Sequence, residues 1–214
     1  YNQIFKLGKN SKTKTVSLTE GTLDYNLYSA ILLLEKNIAR ELFEKGSLID
    51  AQKKIDAAKQ NAEKYGLKAA AEITAEHKYI SEITLVYKKA LELSNTQKFV
   101  EAIKVYDSLD EKITQYPEIQ TLLDNAVLDC RLNEAERLIK IGNSALKNNN
   151  YKQALDKYLE ASKFNPDIYD NEDVSDNLET CADNLFVNES DRAEFFISLG
   201  EYDNAFEMYL RNGF

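Results

Sequence analysis

Apolar residues recur along this chain at intervals of three and four almost from end to end, the spacing that gathers them on one face of an α-helix. Ile31-Leu32-Leu33-Leu34 leads into Ile38 and Leu42, and Ile83, Val86, Tyr87, Ala90 and Leu91 keep the same interval. Leu138, Ile141, Ala145 and Leu146 do so again. Residues that break helices fall between the runs: Gly46-Ser47, Tyr65-Gly66, Asn95-Thr96, Tyr116-Pro117, Asn148-Asn149-Asn150, Asn165-Pro166 and Gly200. The longest uninterrupted helical run predicted is Pro117 to Lys147. The polar stretch Asp167 to Asn177 is predicted to be a loop. Residues 1–19 carry no period and include Lys9, Lys12 and Lys14, so they read as an irregular, basic leading segment.

A longer period lies over the helical one. Four windows share a form: Leu48 to Ile55, Phe99 to Tyr106, Tyr151 to Tyr158 and Tyr202 to Tyr209. Their first residues are separated by 51, 52 and 51 positions. Three residues after each stands Ala51, Ala102, Ala154 or Ala205, and nine residues before each stands Ala39, Ala90, Gly142 or Ala193. Small residues on two successive helices let their backbones approach closely, while the large residues around them fill the flanking space. Each repeat is therefore expected to be a tight antiparallel helical hairpin, with Ala154 buried against Gly142 or its neighbours.

This pattern resembles the tetratricopeptide repeat family. The fullest match is Leu138, Ile141-Gly142, Ala145, Tyr151, Ala154, Tyr158, Ala161 and Pro166. The family recurs about every 34 residues, so each repeat here carries about 17 additional residues, near 67–82, 118–134 and 172–188. These either lengthen the hairpin's first helix or form a third helix. The expectation is a long first helix in the second and third repeats, and a broken one in the fourth at Asn188-Glu189-Ser190-Asp191. The resemblance implies an all-α fold, an elongated α-solenoid of helical hairpins. It would form a single domain over 20–214, in repeats of about 20–66, 67–117, 118–167 and 168–214.

Composition narrows the function. Seven Gly and two Pro in 214 residues leave too few turn residues for a sandwich or barrel, and no glycine pair has the spacing of a phosphate loop. A net charge of -9 disfavours nucleic acid and anionic lipid. No apolar run is long enough to span a membrane. His77, the only histidine, follows Glu72 and Glu76 but lacks the second histidine of a metallopeptidase motif, and is expected on a solvated helix face. The acids Asp167, Asp170, Glu172, Asp173 and Asp176 lack the glycine of a calcium loop and read as capping acids. Cys130 and Cys181 each stand 21 residues before their repeat's aromatic anchor. Equivalent positions in successive layers lie too far apart for a disulfide. Tyr106, Tyr151, Tyr158, Tyr202 and Tyr209 are expected in the core, and Tyr25, Tyr28, Tyr79, Tyr87 and Tyr169 at a recognition surface.

No catalytic constellation, metal site or cofactor site is legible, so the expectation is a non-catalytic protein-binding scaffold. The resemblance implies protein or peptide partners held by the first helix of each hairpin. The corresponding positions are Leu33, Lys36, Arg40, Phe43 and Glu44, then Thr84, Tyr87, Leu91, Ser94 and Asn95. In the third repeat they are Glu136, Ile139, Asn143, Leu146 and Lys147, and in the fourth Val187, Ser190, Glu194, Ile197 and Ser198. One family mode clamps a partner's terminal carboxylate with Lys and Asn. Here those donors occur singly, at Lys36 and Asn143, and do not converge. The candidate partner-binding residues are Phe43, Tyr87, Leu91, Ile139, Asn143, Leu146 and Ile197. With the acidic balance they suggest a partner with apolar anchors and basic flanks. The alternative is a structural spacer, the extracytoplasmic stalk of a bacterial membrane-anchored or envelope protein. A start at Tyr1, the basic leading segment and an Asn/Lys/Ile/Tyr-rich composition fit that reading.

Overall fold

In the computed structural model the described residues are 18–186, 188–203, 205 and 206; they form helices and the turns between them, with no strand. In chain order the α-helices are α1 (Leu23–Glu44), α2 (Leu48–Tyr65), α3 (Ala70–Asn95), α4 (Phe99–Asp107) and the single turn α5 (Asp110–Ile113). There follow α6 (Pro117–Lys147), α7 (Tyr151–Ser162), a 3₁₀ segment (Pro166–Asp170), α8 (Glu172–Leu185) and α9 (Glu189–Leu199). The long first helices expected in the second and third repeats are α3, with 26 residues, and α6, with 31. The break in the fourth falls between α8 and α9. There Asn188 Oδ1 accepts from the Asp191 N–H at 2.8 Å and caps α9. Residues 1–17, Val187 and Tyr209 lie outside the described residues.

One turn is built four times. Each hairpin's first helix ends with a residue in the left-handed region: Gly46 (φ 76°), Gln97 (60°), Asn149 (56°) and Gly200 (84°). The next residue's N–H reaches back five positions, Ser47 to Leu42 O, Lys98 to Leu93 O, Asn150 to Ala145 O and Glu201 to Phe196 O, at 2.8–2.9 Å. This is the Schellman closure, which satisfies carbonyls left without partners at a helix end. The 51- and 52-residue period is thus a period of backbone geometry as well as of side chains.

The chain divides into two compact units, Tyr1–Lys89 with Val105–Asp124, and Ala90–Lys104 with Asn125–Phe214. In the first, α1 and α2 pack antiparallel over Ala39, Phe43, Leu48, Ala51 and Ile55, each at most 1% exposed. Ile73, Ile80, Tyr106, Ile113 and Ile119 extend that core. In the second, Leu138, Ala154, Tyr158, Leu178, Cys181 and Phe196 belong to one buried cluster. All four anchor-plus-three alanines are buried, as are Ala39, Ala90, Gly142 and Ala193.

Gly142 faces the Tyr158 ring, with Ala154 buried one turn earlier on α7. A Cβ at 142 would stand 2.7 Å from Tyr158 Cε1, inside any tolerable contact. The closest approach to Gly142 at this crossing is thus made by an aromatic ring, and Ala154, one turn before that ring, is fully buried.

The expected loop at Asp167 to Asn177 is instead the 3₁₀ segment and the start of α8. Asn165 Oδ1 accepts from the Asp167 N–H at 3.2 Å and Asn171 Oδ1 from the Val174 N–H at 3.3 Å, capping both. Ile168 and Val174, within the acidic run, and Leu178, just after it, are buried in the core. Glu172 and Asp173 stand in the first turn of α8, where acids oppose the helix dipole.

Candidate functional site

The first-helix surface is where partners were expected, and much of it is taken up by the chain itself. In the first compact unit, α1 meets the added residues at the start of α3. Lys36 pairs with Glu72, Arg40 Nη1 lies 3.6 Å from Glu76 Oε2, and the Phe43 and Tyr79 ring centroids are 5.6 Å apart. Tyr116 closes on Phe43 edge-on at 5.3 Å. Phe43 is therefore 1% exposed and is a core residue, unavailable to a partner. Thr84 is buried as well, its hydroxyl donating to Leu48 O at 3.4 Å. Tyr87 is half-buried, its ring 5.9 Å from that of Tyr106.

The same covering recurs in the second compact unit. Cys130, from the added residues of α6, donates Sγ–H to Ser94 Oγ at 3.5 Å. Asn177 of α8 donates Nδ2–H to Asn143 Oδ1 at 3.2 Å, and Tyr158 donates its hydroxyl to the same oxygen at 2.6 Å. Asn143 Oδ1 thus accepts two hydrogen bonds, and its amide offers a partner chiefly its N–H donors. The added residues lie against the first helix of the preceding hairpin in three successive repeats.

Of the remaining candidates, Leu91 and Ile197 are exposed, at 39% and 41%. Ile139 and Leu146 are partly buried against the core cluster. Asn143 and Leu146 come together in a cleft of about 290 Å³ between α6 and α8, lined also by Lys147, Asp173, Asp176 and Asn177. Leu146 supplies apolar surface, Asn143 an amide donor, and Asp173 and Asp176 two exposed carboxylates. Among the described residues neither aspartate forms an ion pair. Periodicity alone could not show that α8 returns to the Asn143 face, because Asn143 and Asn177 are 34 positions apart.

Several tyrosines change places. Tyr25 is 6% exposed, and its hydroxyl accepts from the Lys68 N–H at 2.8 Å, so it belongs to the core of the first unit. Tyr202 is 68% exposed although it occupies an anchor position. Tyr79 is half-buried, and burial is the main cause that pushes its phenol up to about 12, with the Tyr116 hydroxyl beside it contributing next.

His77 does not lie on a solvated face. Its Nε2 is 2.9 Å from Asp56 Oδ1 and 3.4 Å from Ser81 Oγ, and Gln52 Nε2 donates to that carboxylate oxygen at 2.7 Å and to Ser81 Oγ at 2.8 Å. A serine, a histidine and an acid therefore meet where α2 packs on α3. The catalytic arrangement needs acid and hydroxyl on opposite ring nitrogens, so that one orients the ring while the other exchanges a proton. Here both face Nε2, and a proton held toward Asp56 leaves that nitrogen unable to accept from Ser81. The geometry makes a polar clamp between two helices.

Among the described residues no group of three His, Cys, Asp or Glu side chains could hold a metal ion. None of the described helices is long and apolar enough to cross a membrane. Cys130 and Cys181 are both buried and free. No protein-family model, curated protein or solved structure matches this chain.

Proposed function

We propose that the protein is a non-catalytic, tetratricopeptide-like scaffold that binds a protein segment at the α6–α8 cleft. The observation that carries this reading is the meeting of Asn143 and Leu146 with the unpaired Asp173 and Asp176. The cleft, at about 290 Å³, is at the lower edge of small-molecule sites, which run from about 300 Å³ upward. It suits one apolar side chain of a longer segment. Leu146 would receive that anchor, Asn143 would donate to a partner carbonyl, and the two aspartates would pair with flanking Lys or Arg. Burial of the anchor supplies most of the energy, and the charges set rate and selectivity. A fluorescent peptide with a leucine between lysines, titrated into the protein and into Asp173→Lys/Asp176→Lys, tests this. Binding that the double variant loses supports it; equal binding by both contradicts it.

A second reading, a structural spacer, is favoured by one observation. Lys36, Arg40, Phe43, Ser94 and Asn143 all have partners within the chain. Repeats that cover their own recognition face transmit distance rather than grip a ligand. The same titration separates the two, since a spacer leaves the peptide unbound by parent and variant alike.

A further inference from the structure

A second cleft in the same compact unit has the opposite sign. It is lined by Val100, Ile103 and Lys104 of α4, Arg131 of α6, and Lys163 and Phe164 at the end of α7, and it holds about 190 Å³. None of the six is a first-helix position carried over from the repeat family. Ile103 is 8% exposed and, with the half-buried Val100 and Phe164, forms an apolar floor. Lys104, Arg131 and Lys163 are exposed around it. Among the described residues none of these three cations makes an ion pair. Elsewhere among the described residues the cations divide: Lys36, Arg40, Lys54, Lys68, Lys112, Arg137 and Arg192 are each paired with an acid, whereas Lys88, Lys89, Lys98 and Lys152 are not.

What distinguishes Lys104, Arg131 and Lys163 is that they gather around one apolar floor with no carboxylate among its lining residues. Two of the three have a local explanation, since Lys163 caps the C-terminus of α7 and Lys104 stands in the last turn of α4, where a cation suits the dipole. That explanation does not extend to Arg131, which projects from the middle of α6. The volume decides the class of occupant. About 190 Å³ is too small for a drug-sized molecule, for which sites begin near 300 Å³, and is enough for one large side chain.

We propose that this cleft docks an acidic peptide segment, seating one large apolar side chain on Val100, Ile103 and Phe164 while flanking carboxylates pair with Lys104, Arg131 and Lys163. Arg131 offers a planar fork that binds a carboxylate through two parallel hydrogen bonds, and the lysines act as point charges. The acidic balance of the whole chain does not prevent this. Charges farther than a Debye length, about 8 Å at physiological salt, are largely screened, so the nearby cations set the local field. The site is independent of the α6–α8 cleft, whose rim carries Asp173 and Asp176.

Anisotropy titration of the full chain with labelled Glu-Glu-Phe-Glu-Glu tests the proposal. Two control peptides, Glu-Glu-Ser-Glu-Glu and Lys-Lys-Phe-Lys-Lys, and the variants Arg131→Glu and Lys104→Glu complete the design. The expected result is saturable binding of the first peptide, weakened about tenfold or more by loss of the anchor, by inversion of its charge or by either variant. It should weaken as salt rises, with Asp173→Lys/Asp176→Lys leaving it at least as tight. Lys104 and Arg131 are exposed, so thermal melts of both variants should stay close to that of the parent. Affinity unchanged by Arg131→Glu, equal affinity for the lysine peptide, or phenylacetate binding as tightly as the peptide would each overturn it.

Discussion

At position 142 a missing methyl group decides how close two helices come. The Tyr158 ring is fully buried and lies where a Cβ on residue 142 would stand. Gly142→Ala gains about 1 kcal/mol of helix propensity but overpacks the crossing at a cost of about 1–3 kcal/mol. The expected net effect in urea unfolding is a loss of up to about 2 kcal/mol. In a Tyr158→Leu background the same substitution should become neutral or stabilising, because the ring is gone; an equal loss in both backgrounds would separate Gly142 from Tyr158. Burial also controls ionisation here. The Tyr158 phenol is pushed up to about 12, chiefly by burial and secondarily by the Cys181 thiol beside it. Burial pushes the Cys181 thiol itself up to about 11. Both fold more favourably protonated, so the fold holds protons that the unfolded chain releases at lower pH. Their contribution is complete below the unfolded values of 9.0 and 10.0 and is lost as pH rises through about 11 and 12. The midpoint of urea unfolding should therefore fall between pH 9 and 12, and less so in Tyr158→Phe. A flat profile would contradict the burial assigned to both groups.

The helical hairpin is the element that was most legible before the structure. Gly46, Asn149 and Gly200 announced their turns because these residue types accept left-handed backbone. Gln97 does not, and only its place two residues before Phe99 marks it as equivalent. An L-residue pays about 1–2 kcal/mol in that conformation, and glycine returns about 0.4–1 kcal/mol through the greater freedom of the unfolded chain. Gln97→Gly should then stabilise by up to about 1 kcal/mol, raising Tm by about 2–4 °C for a chain of this size. A lower Tm would mean that position 97 does not share the turn of 46 and 200. The ends of α6 at Pro117 and Lys147 were legible for the same reason, since proline and an asparagine run bound an unbroken period. What escaped was the stretch whose apolar residues are sparse. Ile168 and Val174 sit among so many acids and amides that the 3₁₀ segment and the start of α8 read as a loop, while the rest of α8 lies in residues expected to be helical. The covering of α1 also escaped, because Lys36–Glu72, Arg40–Glu76 and Phe43–Tyr79 are each separated by 36 positions. No local pattern reports a pairing at that range.

For the whole molecule, net charge misdescribes the surface a partner meets. A balance of -9 suggests one acidic body. The second compact unit instead carries an acid-rimmed cleft at Asp173 and Asp176 and a cation-rimmed cleft at Lys104, Arg131 and Lys163. The function we propose rests on the first of these. Its anchor residues Asn143 and Leu146 were named from the repeat register, but the aspartates beside them follow only from the return of α8. Phe43, named from the same register, belongs to the core. The most direct test of the scaffold is the titration of the leucine-lysine peptide against the parent protein, Leu146→Ala and Asp173→Lys/Asp176→Lys, with thermal melts run in parallel. The account predicts saturable binding to the parent, about tenfold weaker in either variant, with the double variant melting like the parent. Binding of equal strength in all three proteins, or no binding to the parent, would contradict it.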